Sequence, residues 1–318
     1  MATRIWDPDD ASPVRRPRQS RARAAEAPPG RRRRHLPRHT AAGDTRPIAE
    51  PEATVDLYGT SYGGFAEAVY AEVRREAYGD EVGQASWLTR EELDGFASDL
   101  GLGGSSRLLE IASGSGGPAL HLVRSTGCEV VGIDFSEEGV SNGNRLASEA
   151  GLDGRARFLQ ADATQPLELE SDSFSAVLCV DAMNHLAGRD RIFAEWLRVL
   201  QPGGRVLFTD PTTVTGLLAI DEIVTRASIG YFVFTPLGED ERLLKEAGFR
   251  VLAVEDATEN MAEMAHRWHE ARANREGALR KIEGDATFEG QQRFLEVAST
   301  LAREHRLSRF VYLAEKPD

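Results

Sequence analysis

Short apolar runs alternate with amphipathic segments through the central part of the chain. Five runs rich in Val, Ile, Leu and Phe have the length of buried strands and lie at residues 108–111, 129–133, 156–160, 174–180 and 205–208. Before the fifth run, apolar side chains recur at helical spacing at Ile192, Trp196, Val199 and Leu200. Strands that alternate with helices predict an α/β fold built on a parallel sheet.

The segment before the first strand has helical patterns. Apolar positions from Tyr58 to Tyr78 follow helical spacing, and Thr89 with Glu92 forms a capping-box pattern at the start of a second helix. Between the two helices, Gln84 and Trp87 are more polar and more aromatic than a simple linker requires. We expect Gln84, Trp87 and also Ser86 to contact a cofactor or substrate. The alternative for Trp87 is that it only packs the next helix onto the sheet.

A glycine-rich turn follows the first strand. Glu110 lies near the strand end, Gly114 and Gly116 form the turn, and Pro118 opens a helix. Glycines allow a tight turn and let backbone N–H groups approach a ligand closely. The turn also fits the dinucleotide fingerprint G-x-G-x-x-G/A, which is a weak signal when it stands alone.

Polar residues follow each of the next strands. Because the carboxyl ends of parallel strands meet at one edge of a sheet, these side chains are expected around one ligand. Asp134, 24 residues after Glu110, ends the second strand and can accept hydrogen bonds from both ribose hydroxyls of either NAD or S-adenosylmethionine (SAM). The residues after the third, fourth and fifth strands are Asp162, Ala163, Asp181, Asn184, His185 and Asp210.

The order and spacing of these motifs, from about residue 107 to residue 210, resemble a class I SAM-dependent methyltransferase of the small-molecule branch often labelled type 11. The resemblance implies a Rossmann-like sheet of seven strands, mostly parallel, with further strands near 250–256 and 308–315. The last strand would insert antiparallel beside the fifth. The Pro202-Gly203-Gly204 element and the long helical insert before the last strand favour SAM over NAD.

The resemblance also implies roles for the residues that bind the cofactor. Glu110 would organise the loop at the methionine end, with Gly114 and Gly116 as the loop glycines. Asp134 would bind the ribose, and Asp162 with Ala163 would contact the adenine. We also expect cofactor contacts from Ala112, Phe135 and Trp87. The family usually has glycine at the position of Ala112.

Candidate bases lie at the strand ends, at Asp181, His185 and Asp210. Similar enzymes carry a His-His pair after the fourth strand and an Asp after the fifth, sometimes used as a catalytic dyad. Here Asn184 replaces the first His, which puts a direct transfer of that dyad in doubt. His185 titrates in a range suited to proton transfer, and the alternatives are a packed histidine and an Asp210 that only caps the loop before Pro211. Expected substrate contacts are Tyr62, Asn184 and Gln84.

Three regions are predicted along the chain. Residues 1–52 are an Arg/Pro-rich extension expected to be disordered, and residues 53–104 a helical lid. Residues 105–318 form the SAM-binding domain, in which inserts near 212–235 and 258–306 would cap the substrate pocket. The last insert is expected to be a helical pair broken around Gly284.

Charge and composition limit the classes of partner that the protein is expected to bind. The chain carries a net charge of −13, although its first 50 residues hold 12 Arg against 6 Asp or Glu. An acidic body argues against nucleic acid and suits a small neutral or cationic substrate. Cys128 and Cys179 fall in strand patterns and are expected to be buried thiols. With no apolar run long enough for a membrane span, we expect a cytoplasmic enzyme, and a homodimer stays open.

No metal site is expected, because His266, His269 and Glu270 lie on a charged helix without further ligands. The sequence therefore predicts a SAM-dependent methyltransferase acting on an O or N atom of a small molecule. The alternatives are C-methylation of an activated carbon and a non-catalytic SAM-binding regulator, with an NAD-linked oxidoreductase further behind.

Overall fold

A computed structural model describes residues 55, 57–65 and 67–318, so the extension predicted for residues 1–52 lies outside the described residues. The strands are β1 (Arg107–Ile111), β2 (Glu129–Asp134), β3 (Ala156–Gln160), β4 (Phe174–Cys179), β5 (Leu200–Val214), β6 (Thr235–Pro236), β7 (Arg250–Asp256) and β8 (Leu307–Glu315). The helices are α1 (Leu57–Gly63), α2 (Ala68–Tyr78), α3 (Arg90–Asp99), α4 (Gly117–Thr126), α5 (Glu137–Glu149), α6 (Arg189–Val199), α7 (Ile220–Arg226), α8 (Glu239–Ala247), α9 (Thr258–Ala273), α10 (Glu276–Glu283) and α11 (Asp285–Arg303).

These strands form one sheet in the order β3-β2-β1-β4-β5-β8-β7, with the two-residue β6 beside β5. β1 to β5 run parallel, and β8 lies antiparallel between β5 and β7. The predicted Rossmann-like sheet is confirmed, including the antiparallel last strand beside the fifth. The carboxyl ends of β1 to β4 meet at one edge, which is where the candidate residues lie.

Helices cover both faces of the sheet, and the central strands between them are mainly apolar. β1 and β4 are buried along almost their whole length. The capping box predicted at Thr89 is present, with the Glu92 N–H donating to Thr89 Oγ1 at 3.2 Å and the Thr89 N–H donating to Glu92 Oε2 at 3.2 Å. Cys128 and Cys179 are buried free thiols, as predicted.

A separate helical layer lies beyond the sheet. α2 packs on α9, α9 packs on α11, and their shared core includes Trp87, Trp268 and Phe294. The sequence predicted a single helix from Tyr58 to Tyr78. The structure has two helices there, because the helix is interrupted between α1 and α2. Where a helical pair was predicted, the structure has three helices, α9 to α11, because a further helix end falls at Ala273. No helix in the described residues combines the length and hydropathy needed to cross a bilayer.

Candidate active site

A cavity of about 530 Å³ lies between the carboxyl edge of the sheet and the helical layer, within the usual size range for small-molecule sites. Its wall contains most of the predicted site residues, namely Tyr62, Gln84, Glu110, Ala112, Gly114, Asp134, Phe135, Asp162, Ala163, Asp181 and His185. The structure places four others outside the cavity wall: Trp87, Gly116, Asn184 and Asp210.

The glycine-rich turn is tied to the end of β2. The Gly114 N–H donates to Asp134 Oδ2 at 2.8 Å, and the Ser136 N–H donates to Asp134 Oδ1 at 2.8 Å. Burial raises the pKa of Asp134, while these backbone donors act to lower it. Gly114 has φ of 54°, and Ala112, where the family usually has glycine, has φ of 55°. Ala112 therefore holds a left-handed backbone conformation that costs a residue with a Cβ about 1 kcal/mol.

Gly116 supports the turn from behind. A Cβ at Gly116 would lie 2.5 Å from the Phe158 ring, so only glycine lets the turn close on that ring. Gly117 allows a second close approach, because its Cβ would lie 2.1 Å from the Val82 carbonyl oxygen. The chain between α2 and α3 (residues 79–89, the α2–α3 connection) therefore lies directly against the start of α4.

Glu110 is a buried carboxylate without a matching cation. It is 3% exposed, and its Oε2 has no hydrogen-bond partner in the described part of the chain. Burial, and secondarily the negative charge of Asp134, raise the pKa of Glu110 to about 8. A buried carboxyl group whose pKa is raised in this way would ionise beside a ligand that carries positive charge, as SAM does at its methionine end.

Two predicted residues of the α2–α3 connection, Gln84 and Trp87, lie in different surroundings. Gln84 is 1% exposed in the cavity wall, where its Nε2 donates to the Leu88 carbonyl at 3.2 Å and its Oε1 accepts from the Val82 N–H at 2.8 Å. The Trp87 ring instead packs against Trp268 and Phe294 in the helical layer. The predicted cofactor contact of Trp87 thus has no geometric support, since an aromatic core lies next to it.

Asp181 links that connection to the sheet. Its Oδ1 accepts from Thr209 Oγ1 and Arg309 Nε, each at 2.7 Å, and its Oδ2 accepts from the Trp87 N–H at 2.9 Å. Arg309 is fully buried and also donates to Glu92 Oε1 at 2.7 Å. With three donors on its two oxygens, the Asp181 carboxylate joins the α2–α3 connection to β5 and β8.

His185 lies in the cavity wall in one defined tautomer. Its Nδ1 is 3.0 Å from the Tyr231 carbonyl oxygen, which can only accept, so Nδ1 carries the proton. Its Nε2 then accepts from Asn184 Nδ2 at 2.8 Å. Burial, and secondarily the charge of Arg226, lower the pKa of His185 to about 4. The ring is therefore neutral at physiological pH.

Asp210 belongs to a buried ion cluster. It is fully buried, and its Oδ2 accepts from Arg189 Nη1 at 2.6 Å while its Oδ1 accepts from Thr212. Arg189 Nη1 also donates to Asp240 Oδ1 at 2.6 Å, and burial together with the charge of Asp210 raises the pKa of Asp240 to about 7. The structure does not bring the Asp210 carboxylate to the cavity.

Several cavity residues were not predicted from the sequence. Ile229, Tyr231, Trp268, Arg272 and Gln291 all lie in the wall. A signal existed for Arg272, because Met261, Ala265, Trp268 and Arg272 lie at helical spacing and form one buried face of α9. A charged residue on an otherwise apolar helix face is a candidate for a buried polar role.

Comparisons with known proteins show the family to which the chain belongs. Residues 109–208 match a family described as a methyltransferase domain. The chain is 31% identical over 279 residues to 27-O-demethylrifamycin SV methyltransferase of Amycolatopsis mediterranei, covering 83% of this chain and 98% of that protein. It is 32% identical over 130 residues to a sterol 24-C-methyltransferase of Gibberella zeae, covering 41% of this chain and 33% of that protein.

The fold has solved counterparts. Phosphoethanolamine N-methyltransferase 2 of Haemonchus contortus, in complex with S-adenosyl-L-methionine, superposes with a TM-score of 0.68 at 21% identity, covering 84% of this chain and 61% of that chain. At this identity, the likeness supports the fold alone.

A Rossmann-like sheet with a glycine-rich turn and buried carboxylates around a cavity at its carboxyl edge is typical of nucleotide-binding proteins. The full-length relative then shows which family: the chain belongs to the class I SAM-dependent methyltransferases. It is an enzyme of that family, and its cofactor is SAM.

Proposed function

We propose that the protein transfers the methyl group of SAM to a hydroxyl oxygen of a small molecule, giving S-adenosylhomocysteine. The observation that carries this proposal is the distribution of charge in the cavity. Among the described residues, its carboxylates are Glu110, Asp134, Asp162 and Asp181, all at strand ends. The wall supplied by the helices has none, so a cationic amine has no carboxylate with which to form an ion pair there. The relative that matches almost end to end is named for an O-linked position.

The strand ends would hold the cofactor. Glu110 lies where it would neutralise positive charge at the methionine end, and Asp134 has lone pairs left for the two ribose hydroxyls. Asp162 and Ala163 would contact the adenine, and Phe135, which is 78% exposed beside them, would cover its face. Bound SAM supplies a methyl group already activated by its sulfonium, so the protein mainly positions the acceptor.

His185 is the proposed proton acceptor. A substrate hydroxyl would replace the Asn184 amide at Nε2, while the Tyr231 carbonyl keeps the proton on Nδ1. As the new C–O bond forms, the hydroxyl proton becomes strongly acidic, so a neutral imidazole with a low pKa is basic enough to accept it. The low pKa keeps Nε2 unprotonated across the physiological range.

The other predicted residues take supporting roles. Tyr62 and Gln84 lie in the wall, and we propose that they contact the substrate. Asn184 would hold the His185 ring in place until the substrate hydroxyl replaces its amide at Nε2. Asp181 would hold the α2–α3 connection over the cavity through the Trp87 N–H. Asp210 would act only through the fold. The lid at residues 53–104 and the cap inserts would enclose the acceptor.

The acceptor atom is tested with a panel of probes that differ at one position. A phenol, the matching aniline and a 1,3-diketone present oxygen, nitrogen and activated carbon, and 27-O-demethylrifamycin SV adds the compound named in the full-length relative. We expect S-adenosylhomocysteine to form with the hydroxyl probes and mass spectrometry to locate the methyl group on oxygen. Methyl transfer to carbon or nitrogen alone would contradict the proposal, and SAM binding without product from any probe would favour a regulator.

The role of His185 is tested with His185→Ala. We expect turnover to fall by about 10²- to 10⁴-fold, as for loss of a general base, with SAM affinity unchanged. Because the His185 pKa is about 4, protonation of His185 should not lower wild-type turnover when the pH is reduced to about 6.5. His121→Ala is the control, since His121 lies on α4 outside the cavity wall and bonds Asp94. Normal turnover in His185→Ala would remove His185 as the base.

A further inference from the structure

A buried polar cluster lies in the helical layer. We define the distal cluster as Tyr70, Arg272, Glu283 and Gln291. Arg272 Nη2 donates to Glu283 Oε1, and the side chains of this pair are 2% and 1% exposed. The Tyr70 hydroxyl donates to Glu283 Oε2 at 2.8 Å, so both carboxylate oxygens of Glu283 are occupied.

Stability alone does not account for this cluster. Its surroundings in α2, α9 and α11 are apolar and include Trp268, Phe288 and Phe294. Removing two charges from water costs several kcal/mol per ion, and well-packed apolar residues often serve such a position equally well or better. A polar cluster kept in an apolar core is therefore a candidate for recognition.

The cluster belongs to the wall of the active-site cavity. Tyr70, Arg272 and Gln291 line the same cavity as Glu110 and His185. Arg272 Nε donates to Gln292 Oε1 at 3.3 Å, and Nη2 is paired with Glu283. In the described part of the chain, the third guanidinium nitrogen of Arg272, Nη1, makes no hydrogen bond. It is thus the donor left for a ligand in the cavity.

The neighbouring wall is apolar. Val73, Ile229 and Trp268 line the cavity close to the cluster in the same helical core. The cap end of the cavity therefore combines an apolar surface with a donor held in place by an ion pair. Because Glu283 balances the charge of Arg272, the ion pair as a whole carries no net charge with which to attract an anion.

We propose that the distal cluster binds an uncharged oxygen of the substrate, a hydroxyl or carbonyl, through Arg272 Nη1. The substrate class is then a largely apolar molecule with two oxygen groups, one methylated beside His185 and one held by Arg272. This inference rests on the proposed function, since it takes the hydroxyl beside His185 as the acceptor. A site built to bond an oxygen rejects an analogue that lacks it, whereas an apolar wall does not.

The test is calorimetric titration of the full chain saturated with S-adenosylhomocysteine. The probes are a homologous series of α,ω-alkanediols, with 1-alkanols and ω-hydroxycarboxylates of matched length. At one preferred length, we expect the diol to bind at least about tenfold more tightly than the alkanol, as befits a hydrogen bond to a charged donor. The diol should also bind more tightly than the hydroxycarboxylate.

Variants assign that preference to Arg272. The double variant Arg272→Met with Glu283→Gln removes both charges together, and we expect it to lose the preference for the diol while keeping its alkanol affinity. Arg272→Lys keeps the pairing with Glu283 but loses the Nη1 donor, so it should lose the preference even if the double variant folds poorly. Arg267→Met, on the same helix but outside the cavity wall, is the matched control.

Three results would overturn the inference. These are equal affinity for diol and alkanol at every length, tighter binding of the hydroxycarboxylate, and a diol preference that survives in Arg272→Lys. The readout is binding to the product complex and needs no methyl transfer. Failure of the probes to be O-methylated would therefore count against the proposed function alone.

Discussion

Glu110 acquires its character from its position at the end of β1. In water its carboxylate would be ionised at neutral pH, but burial against the glycine-rich turn and the neighbouring Asp134 raise its pKa to about 8. The ligand-free protein therefore holds a proton there at neutral pH. A positively charged ligand favours the ionised carboxylate, so SAM binding should release that proton.

Glu110→Gln tests this linkage. Because the pKa is raised from 4.5 in the unfolded chain to about 8 in the folded one, the folded state binds more protons between those values. The Glu110 contribution to the free energy of unfolding therefore falls as pH rises through that window, by at most about 1.4 kcal/mol per pH unit. Urea unfolding at several pH values should show the slope in the wild type and less of it in Glu110→Gln.

The variant should also bind SAM at least about tenfold more weakly, because the missing charge no longer offsets the ligand's cation. The control is Glu129→Gln, since Glu129 is exposed at the start of β2. An identical pH slope in wild type and Glu110→Gln would show that the carboxylate does not carry the proton.

The positions of individual residues were predicted correctly where a strand ends at the same residue as its apolar sequence pattern. Glu110, Asp134 and Asp181 reach the cavity wall for that reason. Asp210 does not, because β5 was expected to end near residue 209 but continues to Val214, which leaves Asp210 inside the strand. Its partners Arg189 and Asp240 lie far from it in sequence, so no local pattern could show the ion cluster.

At the scale of elements, the α2–α3 connection determines how the cavity is closed. It lies against Gly117 at the start of α4, and Gln84, Ala85 and Ser86 within it line the cavity. The capping box at Thr89 fixes where it ends, and that pattern was readable from the sequence. The close approach to Gly117 was not, since it joins backbone atoms from separate elements.

Gly117→Ala should displace the connection. Its new Cβ would lie 2.1 Å from the Val82 carbonyl oxygen and 2.7 Å from the Gly83 backbone, so the backbone must move. We expect a loss of about 1–3 kcal/mol in the free energy of unfolding, together with weaker SAM binding. Gly95→Ala is the control, because Gly95 lies within α3 with nothing within 4 Å, and alanine there should stabilise by about 0.5–1 kcal/mol. Equal stability of Gly117→Ala and wild type would contradict the packing.

Some helix boundaries could be predicted from the sequence, and others could not. The break between α1 and α2 falls at Gly63 and Gly64, a dipeptide that disfavours a continuous helix. The break between α9 and α10 falls at Asn274 and Arg275, where neither glycine nor proline is present. That break depends on how α10 folds back on its neighbours, which is tertiary information.

For the whole molecule, the two halves of the cavity differ in how far sequence could predict them. The proposed cofactor half comes from consecutive strand ends within about a hundred residues, so motif order was enough to bring its residues into one prediction. The proposed acceptor half combines Tyr70, His185, Trp268 and Gln291, which come from elements distant in sequence. The fold and cofactor were therefore predictable, and the acceptor chemistry was not.

The most direct test of the account is calorimetric titration of the full chain with SAM and separately with NAD, in the wild type and in Asp134→Ala. The account predicts that SAM binds the wild type, that NAD does not, and that Asp134→Ala weakens SAM binding at least about tenfold, because a buried acceptor for the ribose hydroxyls is lost. Unchanged SAM affinity in Asp134→Ala, or binding of NAD in place of SAM, would contradict it.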